Sequence, residues 1–422
     1  MAAAYDLARA GHMVTIFENE AYVGGLASGF KEPGWDWSVE KYYHHWFASD
    51  RHMLGLIKEL GWEDQVVFRR PYTVLYHQGK FYPFDSMFSN IPLFMLRHYP
   101  LVDVARFGMV GLFLRLTNNW QSLEKATVDA WMRKWAGDLV YEAMWQPLVV
   151  GKFGERYAGQ VNMAWMWARL KARTTRLGTF KGGFQAFSDK LADSLRQMGV
   201  EIRLSMPVSR IAPSSESGLT LESGSLGALH FDQCLVTISP GSLARLAPGL
   251  PENYLHGLLD LKHMGAVVMI LALEHGLSEE GYYWYNIPKP EGFPFLSLVE
   301  HTNFLSPANF GGDHIVYLGD YLETDHEYFR LEKEELLARF LPWLPRFNPK
   351  FQPDWIKKSW LFRTPYAQPI PMVNHSRNIP AIQTPIPGLY FAGMSQVYPW
   401  DRGTNFAVEI GRRAAKQMME SR

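Results

Sequence analysis

Apolar and polar positions alternate along this chain in two distinct rhythms. Ala2 to Ala8 carries apolar residues at helical spacing, and Gly11 supplies a stop. Val14-Thr15-Ile16-Phe17 is a short apolar run of strand type that ends in Glu18. A glycine-rich turn, Tyr22 to Phe30, and an aromatic stretch, Trp35 to Phe47, come next. Ser49-Asp50 has the chemistry of a helix N-cap, with a helix expected to about Leu60 and closed by Gly61. Tyr72 to Tyr76 and Lys80 to Pro83 flank Gln78-Gly79 as a hairpin. From Ser86 to about Arg173 the spacing is mostly helical and rich in Trp, Met and Leu.

Beyond Lys181-Gly182-Gly183-Phe184 the rhythm changes again. A helix is expected from Gln185 to Met198, closed by Gly199, then strands at Val200 to Leu204 and around Cys234. Strand alternation recurs at Val267 to Leu273, Tyr282 to Tyr285, Phe295 to Val299 and Ile315 to Gly319. Lys333 to Leu344 reads as helix and Pro365 to Pro387 as a proline-rich loop. A short strand, Gly388 to Gly393, a loop, and a helix from about Asn405 to Met419 close the chain.

A helix, a strand and an acidic residue at the strand end form the second half of a β-α-β nucleotide-binding unit. In that unit the acidic residue lies about 20 residues after a Gly-x-Gly-x-x-Gly turn. Counting back from Glu18 passes the first residue, so the first strand and the glycine turn are expected to be missing. The fold expected is α/β: a discontinuous Rossmann-like domain from residues 1–68, 181–263 and 364–422. An inserted helical part, 69–180, and an antiparallel-sheet part, 264–363, would form a second domain.

Composition narrows the partners more than the fold. The 422 residues carry 42 basic and 42 acidic side chains, so no overall field favours nucleic acid or an anionic membrane. Aromatic residues make up 14%, which a large core explains and a pocket for a flat or extended apolar ligand would also explain. Cys234 is the single cysteine, so no internal disulfide can form; its apolar neighbours suit a packed thiol. Asp6 and Arg9 interrupt any signal-type apolar stretch, which makes the cytoplasm the expected location. Leu101 to Leu116 is too short and too charged to span a bilayer. A core helix is favoured there, with room left for a peripheral membrane contact.

Three constellations could carry chemistry. Glu18 with Gly24-Gly25 could accept a ribose diol and let backbone N–H groups approach a pyrophosphate, or could be a surface residue and a plain turn. Gly393 with Gly403-Thr404-Asn405 ends a strand and begins a helix whose free N–H groups could face an anion or an electron-rich ring. His44 and His45 are adjacent, so on a strand they point to opposite faces and make a poor metal pair; no metal site is expected.

Taken in order, these segments resemble the FAD-dependent oxidoreductases of the amine oxidase, protoporphyrinogen oxidase and phytoene desaturase group, with UDP-galactopyranose mutase as a relative. Gly24-Gly25-Leu26-Ala27 is similar to the group's second glycine motif, and Leu26 stands where amine oxidases usually have Arg. The resemblance implies FAD as cofactor. It implies Glu18 at the adenosine ribose, and Gly24, Gly25, Leu26 and Ala27 along the pyrophosphate and ribityl chain. The backbone of Val208 would meet adenine and Thr237 would lie in the segment that follows. Gly393, Gly403, Thr404 and Asn405 would lie near the flavin. His44 and His45 are the only candidate catalytic residues. Met394 stands where many members have an acidic residue.

The activity implied is hydride transfer from an unidentified, bulky substrate to flavin. The first alternative is a mutase-like reaction on a nucleotide sugar, for which Arg169, Arg173 and Arg176 could meet a diphosphate. A solvated helix face is the favoured explanation of those arginines. The second alternative is a truncated, non-catalytic remnant, and weak or absent FAD binding is expected of the chain as given.

Overall fold

The computed structural model describes residues 1–86 and 89–421; Met87 and Phe88, at the start of the expected helical stretch, and Arg422 lie outside them. Parallel strands form two pairs. Thr15–Phe17 pairs with Glu201–Arg203, Ile16 opposite Ile202, and Cys234–Val236 pairs with Leu389–Phe391. No described strand joins the two pairs. Helices from distant segments close over the first pair. Tyr5, Met53, Leu56, Phe184, Phe187 and Val408 share one apolar core, so residues from the start, middle and end of the chain pack as one unit.

A seven-stranded sheet forms the second body. Its order is Ile356–Pro369, His263–Leu273, His314–Leu322, Ser297–Glu300, Tyr282–Asn286, Tyr72–His77 and Lys80–Pro83. All neighbours are antiparallel except Tyr282–Asn286 beside Tyr72–His77. The hairpin Tyr72–His77 with Lys80–Pro83 thus joins strands about two hundred residues later. One expectation needs correction here. The proline-rich segment does not begin as loop at Pro365: the strand continues to Pro369, with Thr364 opposite Ala266 and Pro369 opposite His263. It lies on the sheet edge, where the N–H a proline lacks can point away from the ladder.

The helical block contains Asn90–His98, Leu101–Leu116, Val128–Ala136, Gln146–Ala158 and Met163–Ala172. Leu101–Leu116 is only half a core helix. Phe107, Val110 and Leu114 are buried, but Leu101 is 74% exposed and Leu116 69%, with Met109 and Leu112 exposed between them. Among the described residues no helix is long and apolar enough to cross a membrane.

A second correction concerns a helix cap. The helix Arg51–Glu59 forms as expected, but the Asp50 side chain does not cap it. Asp50 Oδ2 accepts from Phe47 N at 2.9 Å. The cap comes from Asn405, whose Oδ1 accepts from His52 N at 2.9 Å and Met53 N at 3.1 Å. A local signal was present, and a residue from the far end of the chain took the place.

Candidate functional site

A cavity of about 1430 Å³ lies between the parallel pairs, the large sheet and the helical block. That exceeds the usual 300–1,000 Å³ of a single small-ligand site, so it has room for a cofactor and a substrate together. Three of its walls correspond to the sequence constellations.

Glu18 lies on the first wall, at the end of its strand, where Oε1 accepts from Glu20 N at 2.9 Å. Gly24, Gly25, Leu26 and Ala27 line the same wall. Gly24 has φ +117° and Gly25 φ +56°, a region L side chains avoid. A Cβ at Gly24 would also lie 3.2 Å from both Ser188 Oγ and Ser28 Cα. Both glycines therefore keep the backbone itself at the cavity surface. Met1, Ala2 and Ala3, at the amino end of the first helix, line the cavity too, as does Thr237 beyond its strand. Val208 does not line it; that side chain packs against the cluster containing Ile211 and Leu221.

The second wall is built by Gly393, Met394, Gly403 and Thr404. A Cβ at Gly393 would come within 3.1 Å of Ile238 O and 2.8 Å of the Phe391 ring. Gln396 fixes this corner, accepting from Gly393 N at 2.6 Å and donating to Phe391 O at 2.9 Å. Gln396 carried no sequence signal beyond lying in the motif. Thr404 Oγ1 accepts from Trp46 Nε1 at 2.9 Å. The helix Thr404–Glu420 starts here with no side chain capping it. The Asn405 side chain leaves the cavity for its cap, because its Oδ1 is committed to two backbone N–H groups.

His44 and His45 line the third wall together. They were expected on opposite faces of a strand, but only Trp46–Phe47 is strand, so the alternation does not reach them. His44 Nδ1 donates to Tyr42 O at 2.5 Å, and His45 Nδ1 is buried without a partner. Burial pushes their pKa values down, to about 4 for His44 and about 3 for His45; for His45, Arg173 adds to the effect. Both are neutral at neutral pH. Among the described residues no group of three or more His, Cys, Asp or Glu could hold a metal ion.

The sequence also missed charged residues inside. Arg169 lines the cavity and is nearly buried, so its assignment to a solvated helix face is corrected; Arg173 lines the cavity but is exposed, and Arg176 is exposed outside it. The helix Met163–Ala172 buries Met163 through Ala168, and Arg169 in its last turn reaches Asp401 with its side chain only 9% exposed. Lys152, Arg402 and Tyr321 join Arg169 and Arg173 on the cavity wall.

A cavity walled by bare glycine backbone, an acidic residue at a strand end and the start of a helix has the parts that a dinucleotide-type cofactor site requires. A family model for flavin containing amine oxidoreductases matches residues 1–419. The bovine (Bos taurus) flavin-containing amine oxidase A is 24% identical over 402 residues, covering 88% of this chain and 74% of the relative. A protein of Exiguobacterium sp. 255-15, named provisionally for protoporphyrinogen oxidase, superposes with TM-score 0.76 at 16% identity, covering 99% of this chain and 96% of that one. Reduced UDP-galactopyranose mutase superposes with TM-score 0.75 at 13% identity, covering 99% and 91%. The chain belongs to the flavin containing amine oxidoreductase family. Its cofactor is FAD, and the room left at Gly25 and Gly403, where an added Cβ would meet nothing within 4 Å, suits a ligand lying against the backbone.

Proposed function

We propose that the protein is an FAD-dependent oxidoreductase that takes hydride from a bulky, partly apolar substrate. The single observation that carries this is the continuity of one cavity from the glycine wall at Gly24 to the helical block at Phe107 and Trp145. When bound, FAD supplies the two-electron acceptor chemistry. Glu18 would hold the adenosine ribose, and Gly24 to Ala27 the pyrophosphate and ribityl chain. The start of the Thr404–Glu420 helix would favour negative charge beside the ring. Residues 1–68, 181–263 and 364–422 would act as the cofactor domain, and 69–180 with 264–363 as the substrate roof. His44 and His45, both neutral, would offer hydrogen bonds at the reacting end without adding charge.

The test is anaerobic mixing of the FAD-loaded protein with panels of amines, cyclic hydrocarbons and reduced tetrapyrroles. Bleaching of the flavin absorbance by one class, restored by an oxidant, supports the proposal. A protein that holds FAD but is reduced by none of them counts against it. A second possibility, mutase-like chemistry on a nucleotide sugar, is favoured by Arg169 and Arg173 facing the cavity. It requires isomerisation of the sugar only after the flavin has been reduced.

A further inference from the structure

Four cationic side chains converge on the substrate end of the cavity: Lys152, Arg169, Arg173 and Arg402. Arg169 Nη1 lies 3.5 Å from Asp401 Oδ2, and its side chain is only 9% exposed. Asp401 Oδ1 also accepts from Arg402 N at 3.0 Å and from Gln368 Nε2 at 3.4 Å. Arg402 donates through Nη2 to the Tyr321 hydroxyl, while its Nε is buried without a partner. The Lys152 ammonium sits 4.1 Å from the centre of the Tyr321 ring, and the Arg402 guanidinium 5.0 Å from it. Arg173 contacts the Phe47 ring at 6.0 Å. Among the described residues neither Lys152 nor Arg173 forms an ion pair.

Asp401 therefore faces Lys152, Arg169 and Arg402, with Arg173, an exposed residue of the cavity wall, beside them. Uncompensated charge away from bulk water costs several kcal/mol per ion in general, and a fold keeps such a cluster where an anion offsets it. The cluster strains its own protonation. Burial, then Arg402 and Arg169, pushes Lys152 well below its ordinary range, and burial with Arg169 lowers Arg173 to about 9. For Asp401, burial acts to raise the pKa, but Arg402, Lys152 and Arg169 outweigh it and the net shift is downward. Asp401 already serves Arg169, and Asp320, the acid beside Tyr321 on the same wall, is paired with Lys289.

We infer that Lys152, Arg169, Arg173 and Arg402 form a binding site for an anionic group, a phosphate or carboxylate, carried by the substrate. This rests on reading the cavity as a substrate site of a flavoenzyme. It extends that reading, because an aromatic roof alone would suit a neutral or cationic substrate equally well. Arg169 and Arg402 are held by Asp401 and Tyr321 and so act as the fixed side of the site. Lys152 and Arg173 are the side free to close on the ligand.

The test uses FAD-loaded protein, so that the cofactor's own phosphate site is filled, with inorganic pyrophosphate and benzoate as separate probes in titration calorimetry. The wild type should bind at least one of them. Pyrophosphate alone would point to a phosphate-bearing substrate, and benzoate alone to a carboxylate. Arg173→Gln and Lys152→Met should each weaken that binding about ten-fold or more, as expected for loss of a charge-assisted hydrogen bond. FAD content should stay unchanged, the thermal midpoint should not fall because each variant removes a charge that no anion offsets, and Lys152→Arg should restore binding. Arg339→Gln, whose partner Glu327 lies on the outer surface, should have no effect. No binding of either probe by the wild-type holoprotein overturns the inference whatever the variants do. So does full-strength binding in both Arg173→Gln and Lys152→Met. Calorimetry needs no turnover, so an anion site found in a protein that oxidises nothing separates failure of the enzymatic reading from failure of this one.

Discussion

Replacing Asn405 with Ala separates two roles that its position in the closing motif leaves entangled. Asn405 Oδ1 accepts from the backbone N–H groups of His52 and Met53, the second and third positions of the helix Arg51–Glu59. That is the work of an N-cap side chain, done from the far end of the chain. Loss of an N-cap costs roughly 0.5–2 kcal/mol. Two N–H groups deprived of their acceptor, beside a residue 5% exposed, place the variant at the upper end, about 2 kcal/mol. For a chain of 422 residues the unfolding entropy is about 0.9 kcal/mol/K, so the apoprotein midpoint should fall by about 2 °C. Amide exchange should accelerate at His52 and Met53 before it does elsewhere. Asn405→Asp, which keeps an acceptor oxygen, should recover most of the loss. FAD affinity, measured by fluorescence quenching, should change less than about three-fold, because Asn405 itself does not line the cavity and Met53 is one of many residues that do. A collapse of FAD affinity with an unshifted apoprotein midpoint would refute the capping argument and return Asn405 to the cofactor.

Gly24→Val should lower FAD affinity by about ten-fold or more, since a β-branched residue must take φ +117° with its Cβ 3.2 Å from Ser28 Cα; equilibrium dialysis of FAD reads this directly. His301 is 2% exposed among Phe304, Phe310 and Tyr317, with neither ring nitrogen partnered, and burial lowers its pKa to about 3. The unfolded chain takes up this proton first as pH falls below about 6.5, so stability drops with acidification until the folded value is reached. His301→Phe should therefore reduce the loss between pH 6.5 and 5 by about 2 kcal/mol in urea melts, and an unchanged pH slope would contradict it. Glu40 accepts from Phe184 N at 2.9 Å at the start of the helix Gly183–Gln197, yet burial raises it to about 7 against that hydrogen bond. The folded state holds this proton longer than the unfolded state, so stability falls as pH rises from about 4.5 to 7. Glu40→Gln should remove that fall, a gain on the order of 3 kcal/mol at pH 8, and a variant no more stable there than the wild type would defeat the assignment.

Much of the cofactor wall was legible because its chemistry is backbone chemistry. Gly24, Gly25, Gly393 and Gly403 announce themselves by lacking a side chain, and Glu18 by ending an apolar strand; all five line the cavity. Asn405 was placed by motif position, and its side chain went to another partner; Val208, named for its backbone, packs its side chain with Ile211 and Leu221. A motif fixes where the backbone runs, while the direction of a side chain depends on which neighbour offers the better contact. The two histidines show the same limit. Strict alternation would have parted them, but the strand begins one residue later and both face one space.

The sequence by itself determined most of the element order and the α/β class, because hydrophobic period and glycine placement are local properties, and its resemblance to a known group implied the cofactor. Tertiary structure decided which distant residues share a volume. It carried Asn405 to the helix at Arg51, joined the Tyr72–His77 hairpin strand to Tyr282–Asn286, and turned Arg169 and Arg173 inward beside Lys152 and Arg402. A charged residue on a helix reads the same in sequence whether it meets water or a cavity. Only the packing of the other elements around that helix, which sets Arg169 beside Asp401 with its side chain 9% exposed, distinguishes the two.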